Sequence, residues 1–411
     1  NLDLGARAKM LAPLCHLLRE EVADALQSPE SPLVGLAADW RQLLFPDADD
    51  QQFADAYAQT VTFALLLARS EGADPLTLPT AEAALAAGHT LLSRALQVLT
   101  ETEAKAEISA SVDLLLRVIA EVAPAALRSP REPLLLRYRD SLANLASEDP
   151  WLFFYEDFLA AYDPELRKNA GAYYTPVEVV LAQVRLIDDL LTSRLGKRLG
   201  FADPGVVTLD PAAGTGTYLL AVIDHAMTKV YDQHGKGAVP AKATALAGNL
   251  YGFELMVGPF AVSELRVTRA LKDWGAHLAA NGTHVYLTDT LESPHAIAPP
   301  LPMYLKPISD QHAKALKVKA NVPVIVCLGN PPYDRHEAAD GTNQARTGHW
   351  VRWGDDGKGL AAILNDFTEP AKKAGHGGDL KNAYNLYVYF WRWALWKVFE
   401  SKTAAGPGIV R

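Results

Sequence analysis

Val206-Val-Thr-Leu-Asp210-Pro-Ala-Ala-Gly214-Thr-Gly216-Thr-Tyr-Leu-Leu220 is the stretch whose reading decides the fold. A short apolar strand ends in an acid, a glycine turn follows, and an apolar helix begins. That order is the entry to an α/β unit with a parallel sheet. Gly214 and Gly216 permit a tight turn and let a ligand approach the backbone closely. The turn is not a phosphate loop. No Lys-Ser/Thr follows the glycines, and the G-x-G-x-x-G spacing of dinucleotide folds is absent. Asp210 would repel a pyrophosphate but suits an ammonium.

Two more acids follow at predicted strand ends. Asn249-Leu-Tyr-Gly-Phe-Glu254 places Glu254 to grip two ribose hydroxyls, as the acid of nucleotide-binding folds does. It lies 44 residues after Asp210, about twice the usual spacing, with the Gly- and Pro-bearing stretch Gly235 to Pro240 in between. Val285-Tyr-Leu-Thr-Asp289 is a third strand ending in an acid, placed to meet the amino group of an adenine ring. Any one of these acids could be a plain helix cap. A strand, an acid and a short Gly-x-Gly turn fit S-adenosylmethionine better than NAD.

Downstream, Val322-Pro-Val-Ile-Val-Cys-Leu-Gly329 reads as a buried parallel strand, and Asn330-Pro331-Pro332-Tyr333 leaves its carboxyl end. Open α/β sheets bind ligands at that edge. The prolines fix φ and remove two N–H donors, leaving carbonyls as rigid acceptors. The Asn330 side-chain oxygen and the Pro331 carbonyl can each accept one hydrogen of an exocyclic amino group, aiming the nitrogen lone pair at an electrophile. Tyr333 offers a flat face for stacking. A bare Pro-Pro turn is the plainer alternative.

Together these motifs resemble the catalytic domain of the γ-class DNA adenine-N6 methyltransferases. Arg167-Lys-Asn-Ala-Gly-Ala-Tyr-Tyr174-Thr175-Pro176-Val-Glu178 is similar to the family's first cofactor motif. Thr175 as N-cap, Pro176 at N1 and Glu178 at N3 are expected to form a capping box. The resemblance implies an S-adenosylmethionine site built from Tyr174, Thr175, Asp210, Pro211, Ala212, Gly214, Thr215, Gly216, Glu254 and Asp289. It implies a catalytic loop of Asn330, Pro331, Pro332 and Tyr333, and no metal. Tyr218 stands where phenylalanine is commoner in the family, a mild departure. The stretch Phe154-Tyr-Glu-Asp-Phe-Leu-Ala-Ala-Tyr-Asp-Pro-Glu-Leu-Arg-Lys168 resembles the entry to this domain in single-chain restriction–modification enzymes of the type ISP group.

The expected architecture is therefore an α-helical domain over residues 1–150, a spacer or coupler. An α/β Rossmann-like methyltransferase domain follows over 151–411, with a mainly parallel sheet and helices on both faces. Apolar periodicity predicts helices at Leu11–Leu26, Gln51–Arg69, Thr80–Leu99 and Ala106–Ala126, separated by turns at 28–32 and 71–75. His16 and His89 have no metal-ligand spacing and read as solvated helix faces. The stretch from Asp334 to Lys381 reads as a long loop in which Arg335, Arg346, Trp350, Arg352 and Trp353 could follow a nucleic-acid strand. An aromatic helix follows at 382–399.

Charge divides along the same line. Residues 1–150 hold 12 Lys+Arg against 22 Asp+Glu, and the remainder 27 against 26. The first region is thus not expected on DNA, and any phosphate-binding surface of the second must be local. Two distant cysteines, Cys15 and Cys327, form no disulfide framework, and no segment approaches a membrane span. A reducing cytoplasm is expected. The first residue is not Met and the last five read as the start of another strand, so a longer polypeptide is expected to carry target recognition and any nuclease or ATPase.

The partner implied is double-stranded DNA, with adenine as target, in a restriction–modification or phage-defence setting. Protein-glutamine N5, DNA cytosine-N4 and ribosomal-RNA guanine-N2 methylation pose similar geometry and are the alternatives.

Overall fold

The computed structural model describes residues 4–43, 49–86, 89, 92–93, 96–97, 104–127, 154–163, 175–279, 282–296, 306–332, 348–404 and 406–411. Five parallel strands make one sheet in the order β3-β2-β1-β4-β5. They are β1 Thr208–Asp210, β2 Leu250–Glu254, β3 His284–Leu287, β4 Val326–Cys327 and β5 Ile409–Val410. Leu209 stands opposite Tyr251 on one side and Cys327 on the other. The chain runs outward from β1 to β3, then returns to β4 on the opposite flank. The strand order therefore reverses between β1 and β4, the position where open α/β sheets bind ligands.

Successive strand residues point to opposite faces. Leu209, Phe253, Tyr286 and Cys327 enter a core with Val318, Trp350, Tyr389 and Trp393. Leu250, Val285, Leu287, Val326 and Leu328 enter another with Val222, Phe260 and Leu265. Both faces of a parallel sheet are covered, as its hydrogen-bond pattern and apolar strands require.

The helices preceding the sheet are α1 Leu4–Ala25, α2 Pro32–Leu43, α3 Asp50–Glu71, α4 Leu78–Leu85, α5 Ser109–Ala120 and α6 Phe154–Tyr162. α3 has the clearest ends. Asp49 and Gln52 form a capping box, and Gly72 closes the helix at φ 106°. α6, assigned on sequence to the second region, packs on α1 and α3. Its Tyr162 hydroxyl donates to Asp55 at 2.5 Å, and Phe158 meets Phe63 edge-on at 5.1 Å. Burying a ring such as Phe158 stabilises by about 2 kcal/mol.

Within the sheet region lie α7 Val177–Ser193, α8 Thr217–His234, α9 Val239–Asn249, α10 Val257–Asp273 and α11 Lys306–Asn321. α12 His349–Trp353, α13 Asn365–Lys373 and α14 Leu386–Leu395 follow. Two helices, α8 and α9, fill the unusually long interval between β1 and β2. No described helix is long and apolar enough to cross a membrane.

Several expectations need correction. The turn expected at Ser28–Pro32 is present, but it leads into a helix that was not expected, α2, which Pro32 opens because proline at the first helical position loses no hydrogen bond. The helix expected over Ala106–Ala126 is interrupted near Ile108 and stops at Ala120, ahead of Pro124. Of the expected strand Val322–Gly329, only Val326–Cys327 is regular strand, with backbone bonds to its neighbours running from Ile325 to Gly329; Pro323, which cannot donate to a ladder, lies before them. β3 ends two residues before Asp289, which sits in the turn beyond it. Much of the predicted helix Thr80–Leu99 and the first part of the Arg/Trp stretch, 334–347, lie outside the described residues.

The rest of that stretch, from 348 on, is not an open loop. Trp350, Val351 and Leu364 are buried against the sheet, so an apolar side hidden among Gly and Asp anchors α12 and the chain to α13. His89 is also not solvated. It is 2% exposed and faces Glu264 of α10 at 3.3 Å.

Candidate active site

The end of β1 delivers Asp210 and the glycine turn, and the end of β4 delivers Gly329 and Asn330 alongside. The two exits touch: a Cβ on Gly329 would stand 2.5 Å from Asp210 Oδ1. Only glycine lets the catalytic-loop strand close over that carboxyl.

Asp210 is fully buried. Its Oδ1 accepts from the Ala212 N–H at 3.0 Å, while Oδ2 is buried with no hydrogen-bond partner among the described residues. Burial, opposed by the Ala212 N–H and reinforced by Glu254, pushes the carboxyl up to about 8. A cation placed at Oδ2 would reverse that bias. Gly216 starts α8 at φ 86°, and a Cβ there would meet Ser263 Oγ at 2.8 Å, so the turn lies flat on α10. Arg266 of α10 donates to Thr215 O at 2.6 Å and Oγ1 at 3.2 Å, pinning the turn from behind. Pro211 is held by its carbonyl, which accepts from Thr290 Oγ1 at 2.5 Å.

Glu254 ends β2 beside the same turn. Its Oε2 accepts from Gly214 N–H at 2.8 Å and Oε1 from Met256 N–H at 2.7 Å. Burial raises its pKa, and those two N–H groups hold the rise down. Each oxygen keeps a second lone pair for a ligand hydroxyl. Asp289 lies one strand further out. Its Oδ1 accepts from Leu291 N–H at 2.8 Å, and its Oδ2 faces His349 Nε2 at 2.8 Å. Burial works to raise Asp289, but His349 and then Lys319 hold it below the ordinary value. His349 moves the other way: burial disfavours its charge, and Asp289 lifts it above the usual histidine range.

Asn330, Pro331 and Pro332 are half-buried at the rim. Asn330 Nδ2 donates to Thr175 Oγ1 at 3.0 Å, which fixes the amide rotation and turns Oδ1 to the other side. The expected capping box at Thr175 is therefore not formed. Pro176 is the N-cap of α7 without a side-chain bond, and the threonine hydroxyl serves the asparagine instead. Tyr174 and Tyr333 lie outside the described residues.

The arrangement brings Thr175, Asp210, Gly214, Gly216, Glu254 and Asn330 to one edge of the sheet, with Asp289 at its outer end. A buried carboxyl oxygen without a partner among the described residues, beside a glycine turn that is open at Gly214, fits an ammonium-bearing nucleoside ligand. Sequence reading missed Arg266, Ser263 and Thr290, and it grouped His349 with the Arg/Trp stretch rather than with Asp289. The signal in α10 was legible in principle: Glu264 and Arg266 interrupt a run from Phe260 to Val267 that is otherwise core-facing.

A Rossmann-like sheet thus carries acids at or just beyond three successive strand ends, with Asn-Pro-Pro beside them. Residues 148–361 match the family described as N-6 DNA Methylase, and the chain belongs to that family. Solved structures share the fold. The DrdV–DNA complex, determined by cryo-electron microscopy, is 19% identical with a TM-score of 0.64, covering 99% of this chain and 34% of that one. The ATP-dependent type ISP restriction–modification enzyme LlaBIII bound to DNA is 17% identical with a TM-score of 0.62, over 99% and 25%. A nuclease-deletion mutant of the type ISP enzyme LlaGI with a DNA substrate mimic is 15% identical with a TM-score of 0.63, over 96% and 28%. This chain thus spans a quarter to a third of the length of those chains. No curated protein matches it.

Proposed function

We propose that this chain is the helical and methyltransferase part of a site-specific DNA adenine-N6 methyltransferase of a restriction–modification or phage-defence system, acting on DNA in the cytoplasm. The single observation that carries the reading is the Asn330–Thr175 hydrogen bond at the switch point, directly beside Asp210 and the glycine turn. On this reading the bond leaves the amide oxygen and the Pro331 carbonyl to act as paired acceptors beside the cofactor.

S-adenosylmethionine, when bound, supplies an electrophilic methyl group. The chain's residues do the rest. Asp210 holds the amino-acid ammonium, Glu254 the ribose hydroxyls and Asp289 the adenine amino group. Gly214 and Gly216 let the ligand lie against the backbone. Asn330 Oδ1 and the Pro331 carbonyl take the two hydrogens of a flipped adenine's N6 amino group, with Tyr333 beneath the base. Holding both hydrogens turns the nitrogen lone pair toward the cofactor. The proton leaves to solvent, so no base of shifted pKa is needed.

Target recognition, and any nuclease or ATPase, would belong to other parts of the same polypeptide or complex. The test is incubation of duplex DNA with the protein and isotope-labelled S-adenosylmethionine, followed by digestion to nucleosides. Label in N6-methyladenine supports the reading. Label in N4-methylcytosine, or in methylglutamine of protein added as an alternative substrate, contradicts it.

A further inference from the structure

Beneath the turn that carries Asp289 lies a lysine that the chemistry above does not use. Lys319, in the last turn of α11, is 0% exposed. Burying an ammonium is costly unless all three of its donors are satisfied and its charge is paired. Here they are. Lys319 Nζ donates to Thr288 Oγ1 at 3.1 Å, to the Asp289 carbonyl at 2.6 Å and to Glu292 Oε2 at 3.1 Å. Every acceptor belongs to the five-residue turn 288–292. Glu292 is itself fixed by His312, whose Nε2 lies 2.8 and 2.9 Å from its two oxygens.

The contact to Asp289 goes to its carbonyl and not to its carboxylate. Lys319 therefore fixes the backbone of the residue and leaves the side chain to face the cleft, where His349 now meets it. A second buried lysine braces the first. Lys397, also 0% exposed, donates to the Lys319 carbonyl at 2.8 Å from the π-helical segment Trp396–Glu400 that follows α14. One buried lysine with three contacts to a single turn, its own backbone held by a second buried lysine, is more than a plain link between β3 and α11 requires.

We propose that Lys319 is a positioning residue that sets the Asp289 carboxylate to recognise the exocyclic amino group of the cofactor's adenine. It acts through the 288–292 turn and touches no ligand. The inference rests on the cofactor reading proposed above and adds to it the residue that fixes adenine selectivity.

Calorimetric titration of the full chain with S-adenosylhomocysteine and with S-inosylhomocysteine, which has an oxo group in place of the amino group, tests it. The wild-type protein is expected to prefer the adenosine compound. Lys319→Met, of similar length, is expected to lose about tenfold or more in affinity for it, the scale of a hydrogen bond to a charged group. Its affinity for the inosine compound should move by less than about twofold. Glu292→Gln keeps the lysine but loosens one of its three contacts, and should show the same selective loss in smaller measure. If Lys319→Met does not fold, Glu292→Gln decides alone. Equal loss for both compounds, or no loss, in the deciding variant overturns the proposal while leaving the cofactor site standing. A wild-type protein that binds neither compound overturns the cofactor reading and this inference with it.

Discussion

Asn330 Nδ2 and Thr175 Oγ1, 155 residues apart, stand 3.0 Å from each other across the mouth of the sheet. The hydroxyl decides which way the amide points, and so which of its ends meets a substrate. Thr175→Val, nearly isosteric, should lower kcat/KM for DNA methylation by about tenfold, the scale of one hydrogen bond of about 1 kcal/mol or somewhat more. Thr175→Ser should restore most of it. Steady-state kinetics on the two variants checks this, and an active Thr175→Val would remove the threonine from the account.

Gly216→Ala should be far more damaging than Gly214→Ala. Both positions have positive φ, 86° and 54°. Only at Gly216 does a Cβ collide with a neighbour, Ser263 Oγ at 2.8 Å; at Gly214 the space is open. Left-handed backbone costs a non-glycine residue about 1 kcal/mol at either site. The collision adds to that only at Gly216. Adding Ser263→Gly to Gly216→Ala should recover part of the loss, measured as thermal unfolding and cofactor affinity in a double-mutant cycle.

The contrast between these two glycines marks the limit of what sequence could show. The strand and turn from Asp210 to Gly216, the strand ending at Glu254 and the Asn330-Pro331-Pro332 loop were legible as local structure, because apolar β-branched runs, glycines and prolines dictate strands and turns. The parallel β5 was legible at Ile409–Val410 for the same reason. What Thr175 does was not. As a local feature Thr-Pro-x-Glu is a capping box, and a partner far along the chain overrode it. His89 failed similarly: an isolated histidine reads as solvated until Glu264 of a distant helix is placed against it. Trp350, Val351 and Leu364 were lost among glycines and aspartates because their spacing fits neither a strand nor a long helix.

The ligand-free protein should lose stability as pH rises from about 4 to about 8. Asp210 is held up to about 8 in the folded chain against an ordinary 3.8, so folding takes up a proton between those values. The stabilising contribution is complete below 3.8 and is lost as pH rises through about 8. Glu254 is shifted in the same direction. Melting temperatures at pH 6 and pH 8 should fall further for the wild type than for Asp210→Asn, which carries no titrating proton. Equal slopes would show that Asp210 is not the group responsible.

Removing His89 should unfold more than the helical region. It pairs with Glu264 of α10, the helix that backs the glycine turn, and both side chains are almost fully buried. His89→Ala leaves that carboxylate without its cation, at a cost of about 3 kcal/mol. Glu264→Leu in the same protein should return much of it. Denaturant unfolding of the single and double variants measures the coupling, and additive losses would show that the pair is not energetically linked.

The central claim is that Asn330 orients the amino nitrogen of a DNA adenine for methyl transfer. The measurement that tests it most directly compares wild type and Asn330→Ala for both S-adenosylmethionine affinity and N6-methyladenine in duplex DNA, the latter by nucleoside mass spectrometry. The account predicts N6-methyladenine from the wild type, none above background from Asn330→Ala, and cofactor affinities within about threefold of each other. Substantial N6-methyladenine from Asn330→Ala, with the cofactor still bound, would contradict it.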